Sequence, residues 1–175
     1  MKSHRAVVLI PAWLILCVIA PGLGGCNEVN YTRVPNYAVN IDLDNTGLWE
    51  TYGVSGYGSS RNFILEEGEP KGFPYKSGSR TGYGGVLLIE GQNSFSGDVQ
   101  PLAYDLSCPV ERLPDVRVYV NPGNYEAICP KCGSHYNVVE AGGNAVAGEA
   151  LDYGYGLRRH HVYAAANGGY IIRND

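Results

Sequence analysis

Gly84-Gly85-Val86-Leu87-Leu88-Ile89-Glu90-Gly91 is the stretch whose reading decides the fold. Its apolar run is short, unbroken and flanked by glycines. Such a run reads as a strand buried on both faces, not as a helix. Working outward, residues 37–43 alternate, with Tyr37, Val39, Ile41 and Leu43 on one face, the pattern of a half-buried strand. Residues 101–106, 116–120, 125–128, 162–165 and 170–172 are further strand candidates. Asn121-Pro122-Gly123-Asn124 and Asn167-Gly168-Gly169 are turn sequences of the hairpin kind. Residues 47–60 and 67–85 are dense in Gly, Ser, Pro and charge and read as loops or irregular hairpins. No helical periodicity exceeds two turns, and no internal repeat is present.

Composition points the same way. The 175 residues include 24 Gly and 10 Pro, which argues against a helical bundle because these residues are the costliest in helix interiors. With 45% hydrophobic residues and a formal net charge of only −4, the chain has enough apolar surface to fold. That acidic balance lacks the clustered Lys and Arg that nucleic acid requires. The expected fold is all-β, a small antiparallel sandwich or barrel.

The first segment reads as an address. Lys2 and Arg5 precede an apolar run over 6–20, and small residues follow. The run contains Pro11 and is short of the ~20 residues a membrane-spanning helix needs. It ends in Leu23-Gly24-Gly25-Cys26, which resembles the lipobox of bacterial lipoproteins. That resemblance implies cleavage before Cys26, acylation of its thiol and new amino terminus, and an address in the bacterial cell envelope. The expected organisation is a signal peptide over 1–25, a lipid-anchored tether over 26–36 and a β domain over 37–175. The lipid bilayer is then one partner, through acylated Cys26, and another envelope protein a second.

Three cysteines remain, in Cys108-Pro109-Val110 and in Cys129-Pro130-Lys131-Cys132-Gly133-Ser134-His135-Tyr136. Here the sequence resembles the Rieske [2Fe–2S] domain, whose loops read C-x-H and C-P-x-H-G-S-x-(Tyr/Phe), with two Cys on one iron and two His on the other. The resemblance extends over 85–173 and implies that domain's antiparallel fold, with Cys108 and Cys129 on two loops that meet at one end. It places Cys108 and Cys129 at the thiolate positions, and Ser134 and Tyr136 as hydroxyl donors to the cluster sulfurs. The ligand set departs from the family: Val110 and Cys132 stand at the two histidine positions. The third loop, Gly-Pro-Ala in the family, is Gly148-Glu149-Ala150 here.

Three readings of the thiols stay open. Loss of the metal, as the resemblance implies, would leave Cys108 and Cys129 near bonding distance, so a disulfide between them is expected in an oxidising compartment. Alternatively the three thiols, with His135 or Glu111, hold one Zn²⁺. In the third reading a [2Fe–2S] cluster survives with Cys132 in place of a histidine and Glu111 as a further ligand. The expectation is no bound cofactor, with [2Fe–2S] and zinc as alternatives. No enzymatic role is expected, since His135 beside Cys132 is a weak case for a nucleophile–base pair. The basic run Arg158-Arg159-His160-His161 reads as a solvated turn, or else as a site for an anionic headgroup or sulfated glycan. The functional expectation is a membrane-anchored envelope lipoprotein with a structural or interaction role; the alternatives are a Rieske-type [2Fe–2S] electron-transfer protein with altered ligands and a Cys₃His zinc-binding module.

Overall fold

The computed structural model describes residues 28–93, 96–140 and 142–174. The signal segment and Cys26 lie outside them. In chain order the strands are β1 (Val39–Leu43), β2 (Ser60–Phe63), β3 (Arg80–Thr81), β4 (Val86–Gln92), β5 (Val99–Asp105) and β6 (Tyr119–Val120). There follow β7 (Glu126–Ile128), β8 (His135–Asn137), β9 (Asn144–Ala147), β10 (Arg159–Ala164) and β11 (Tyr170–Arg173). Two short α-helices, α1 (Thr46–Tyr52) and α2 (Glu149–Asp152), and a single 3-10 turn over Leu65–Glu67 accompany them.

The strands form a seven-stranded sheet in the order β2-β4-β5-β10-β11-β1-β3 and a four-stranded sheet, β6-β7-β8-β9. Every ladder within them is antiparallel. The larger sheet curls into a nearly closed barrel. Its two edges approach just beyond β2, where the Leu65 N–H donates to the Thr81 hydroxyl at 3.3 Å.

The apolar run of β4 is explained by what lies on each side. Val86 and Leu88 face the barrel interior with Ile41, Leu43, Phe63, Phe73 and Ile172. Leu87 and Ile89 face a second core, shared with the four-stranded sheet, that contains Tyr104, Leu106, Ala127, Tyr136 and Leu157. All four β4 side chains are buried, each worth ~1.5–3 kcal/mol relative to exposure. This central strand is why alternation is missing from its sequence.

Several sequence expectations change. Residues 47–52, read as loop, belong instead to α1, whose amino end is capped by the Asn45 side chain accepting from Leu48 N–H at 3.0 Å. Leu48, Trp49 and Tyr52 pack on the barrel core, and this tertiary contact holds a helix too short to show in periodicity. Tyr37 does not share the buried face of β1; it is exposed and its ring meets Tyr83. Arg159-His160-His161 lies in β10, not in a solvated turn. Arg158 donates to Val34 O at 2.7 Å, and the Arg159 guanidinium lies over the Tyr31 ring.

The segment expected as a tether is packed against the domain from Asn30 onward. Asn30 N–H donates to Gly154 O at 2.8 Å, and Gly156 N–H donates back to Asn30 O at 3.0 Å. Val34 is fully buried, and the Arg33 guanidinium sits over the Tyr155 ring. Apolar and cation–π contacts outweigh the freedom a polar linker would keep.

Candidate metal centre

Three loops converge on the thiols. The first leaves β5 at Asp105, and Cys108 follows in a turn where Cys108 N–H donates to Val116 O at 3.0 Å and Arg112 N–H to Cys108 O at 2.9 Å. The second links β7 to β8. Cys129 N–H donates to Ser134 O at 2.9 Å and Gly133 N–H to Cys129 O at 3.1 Å, closing the loop on itself. Gly133 takes a left-handed φ of 67°, which glycine adopts without a Cβ penalty. The third, Gly148-Glu149-Ala150, lies against the second: Ala150 N–H donates to the Ser134 hydroxyl oxygen at 3.0 Å. Gly148 is required there, because a Cβ on it would stand 2.8 Å from Ser134 Cα.

The sulfurs of Cys108, Cys129 and Cys132 all lie within 4.8 Å of one another. Cys108 and Cys129 are buried, whereas Cys132 is half-buried. Cys108 Sγ is 3.6 Å from Cys132 Sγ and 3.5 Å from the Tyr136 hydroxyl. The Cys132 thiol donates to the Ser134 hydroxyl oxygen at 3.2 Å. The two hydroxyls singled out in the sequence thus stand directly on two of the three sulfurs.

All three cysteines are free thiols, which corrects the expected Cys108–Cys129 disulfide. The pocket gathers three sulfurs instead of a pair, with Cys132 standing beside Cys108 in non-bonded contact. Burial pushes the Cys108 thiol up to about 12, against the Tyr136 hydroxyl, which favours the thiolate. Burial also acts to raise Cys132, but its hydrogen bonding with the Ser134 side chain and backbone, and with the neighbouring thiols, outweighs it and holds this thiol below its ordinary value. Cys132 therefore loses its proton before Cys108.

The other candidate ligands point elsewhere. His135 Nδ1 lies 2.7 Å from the Glu126 carboxylate across the β7–β8 ladder. Glu111 pairs with the Lys131 ammonium at 2.5 Å. Val110 packs against the shared core. The arrangement therefore offers three sulfur donors, while a [2Fe–2S] centre takes four ligands divided between two irons. Its donor set does not fit that group. The ionic tie between Lys131 and Glu111 joins the two cysteine loops, and sequence reasoning overlooked it because it saw Glu111 only as a ligand.

No family model, curated protein or solved structure matches the chain. What is shown is mostly antiparallel β structure, a nearly closed barrel-like sheet and a cluster of three cysteines.

Proposed function

We propose that this chain is a lipid-anchored protein of the bacterial cell envelope, carrying a Rieske-like domain that has lost its [2Fe–2S] cluster and serves a non-enzymatic, binding role toward another envelope protein. The observation that carries the reading is the donor set of the pocket. Where the family has two histidines, this chain has Val110, packed in the core, and Cys132, 3.6 Å from Cys108. Support for the Rieske-like architecture comes from a small antiparallel sheet whose cysteine loops meet a third loop at one end. Against a thiol enzyme stands His135, hydrogen-bonded to Glu126 and so not poised as a base for Cys132.

Iron and acid-labile sulfide analysis of anaerobically purified protein tests the reading. The expected result is a colourless protein without iron; two irons per chain with visible charge-transfer bands would overturn it. The anchor is tested separately: Cys26→Ser is expected to move the protein from the membrane to the soluble fraction. A wild-type protein with a free, unmodified mature amino terminus defeats that part.

A further inference from the structure

We propose that Cys108, Cys129 and Cys132 bind one copper(I) ion in a three-coordinate, all-thiolate site. The proposal rests on the reading of a pocket emptied of its iron–sulfur cluster and assigns that same pocket a different occupant.

Distance comes first. Three sulfurs bound to one ion at ~2.3 Å lie ~4 Å apart, whether the arrangement is planar or pyramidal. Here all three lie within 4.8 Å of one another, and one pair is at 3.6 Å. A single ion bridges them with shifts of tenths of an ångström.

Donor chemistry narrows the ion. A pocket of thiols alone selects soft ions, and copper(I) and zinc are the common ones. Structural zinc sites are almost always four-coordinate. The residues that would complete such a set are engaged: His135 with Glu126 and Glu111 with Lys131. Val110 closes part of the surround with apolar surface. Copper(I), a filled-shell monovalent ion, is satisfied by three thiolates.

The surroundings suit a thiolate site. The Ser134 and Tyr136 hydroxyls stand 3.2 and 3.5 Å from Cys132 and Cys108, ready to donate to sulfur once its proton is gone. Ser134 is itself held by Ala150 N–H. Binding balances as three thiol protons released to solvent for one Cu⁺ taken up, leaving a net charge of −2 on the centre. Half-buried Cys132 supplies the entry path, while Cys108 and Cys129 are shielded.

The test is competition. Full-length protein, extracted from membranes in detergent and reduced anaerobically, is titrated against the coloured copper(I)–bathocuproine complex and, separately, with Zn²⁺. One equivalent of copper(I) should leave the chelator, a thiolate-to-copper ultraviolet band should appear, and all three cysteines should become protected from alkylation. Cys132→Ser, at the half-buried position, should abolish the transfer while circular dichroism stays unchanged. Ser134→Ala should weaken binding ~10–100-fold at unchanged stoichiometry, as loss of a group that orients a ligand does. No withdrawal of copper from the chelator, full withdrawal by Cys132→Ser, or displacement of copper(I) by equimolar Zn²⁺ would each overturn the proposal. If Cys132→Ser unfolds, alkylation protection in the wild type decides. Iron in the purified protein defeats the emptied-cluster reading, whereas failed copper competition in an iron-free protein defeats only this one.

Discussion

In the seven-stranded sheet β4 pairs with β5 over seven registered residues, while no strand of the four-stranded sheet exceeds four. The barrel holds itself together with long ladders around Phe63, Phe73, Ile41 and Ile172. The smaller sheet has Ala127, Tyr136 and two cysteines in its interior, and its shape is set by loops. Burial of polar groups follows the same division. In the barrel the buried Asp105 carboxylate accepts backbone N–H groups of Tyr83, Gly84 and Ser107 at 2.8–3.0 Å. In the small sheet the buried thiols face chiefly one another and two hydroxyls. One lobe is organised around its apolar interior; the other is organised around its three cysteines.

The most damaging change should be Phe63→Ala. It empties a fully buried ring position edge-on to Phe73, with centroids 5.2 Å apart, so urea denaturation should show a loss of ~3–5 kcal/mol. A loss under ~1 kcal/mol would break the claim that barrel packing dominates.

A pH experiment on the barrel comes next. Burial raises Asp105 to about 6, against its backbone hydrogen bonds, and burial lowers His160 to about 4. The two lie 4.0 Å apart, but a neutral His160 makes no ion pair with Asp105 in the pH range where that carboxylate is charged. For Asp105 the folded state holds its proton more tightly than the unfolded chain, so its contribution is complete below about pH 4 and is lost as pH rises to about 6. For His160 the folded state holds the proton less tightly, so its contribution is complete above about 6.5 and is lost as pH falls toward 4. The two slopes oppose and nearly cancel. Relative to wild type, Asp105→Asn should lose stability on acidification from pH 6.5 to 4, and His160→Gln should gain it. Each difference should approach ~3 kcal/mol, because each group titrates roughly a hundredfold away in proton concentration from its ordinary midpoint. Parallel curves for both variants would refute the assignment.

Gly148→Ala probes the other lobe. With φ at 77° and a Cβ placed 2.8 Å from Ser134 Cα, it should cost ~1–3 kcal/mol. Hydrogen exchange should quicken in β8 and β9 while β4 and β5 stay protected; uniform loss across both sheets would erase the contrast. The smallest effect should come from Lys131→Ala. Its ion pair with Glu111 is solvent-exposed on the lysine side, so the denaturation midpoint should not move measurably.

The strands legible in the sequence are those whose pattern survives alone. β4 announces itself by an apolar run because it separates two cores, and the β6–β7 and β10–β11 hairpins by Asn-Pro-Gly-Asn and Asn-Gly-Gly. The meeting of the loops that carry Cys108 and Cys129 was expected through the resemblance of their motifs to the Rieske loops, and the structure brings Cys132 there with them. β8 was not, because His135-Tyr136-Asn137 is strand only through its partners β7 and β9. α1 was hidden because its stability comes from packing, not propensity. The partner of His135 was hidden for a similar reason: it is Glu126, across a ladder, which spacing cannot reveal.

The strap over residues 30–34 carries a consequence for orientation. Once Asn30 is stitched to Gly154 and Gly156, only four peptide units separate it from Cys26, a reach of at most ~14 Å. With Cys26 acylated as proposed, the domain is moored on a leash shorter than its own width. The turn that receives the strap begins at α2, which touches Ser134 and so the thiol loops. Leu151 and Tyr153 are exposed on that turn. If the anchor is as proposed, that short leash limits how far this turn, and the thiol loops beside it, can rise from the bilayer.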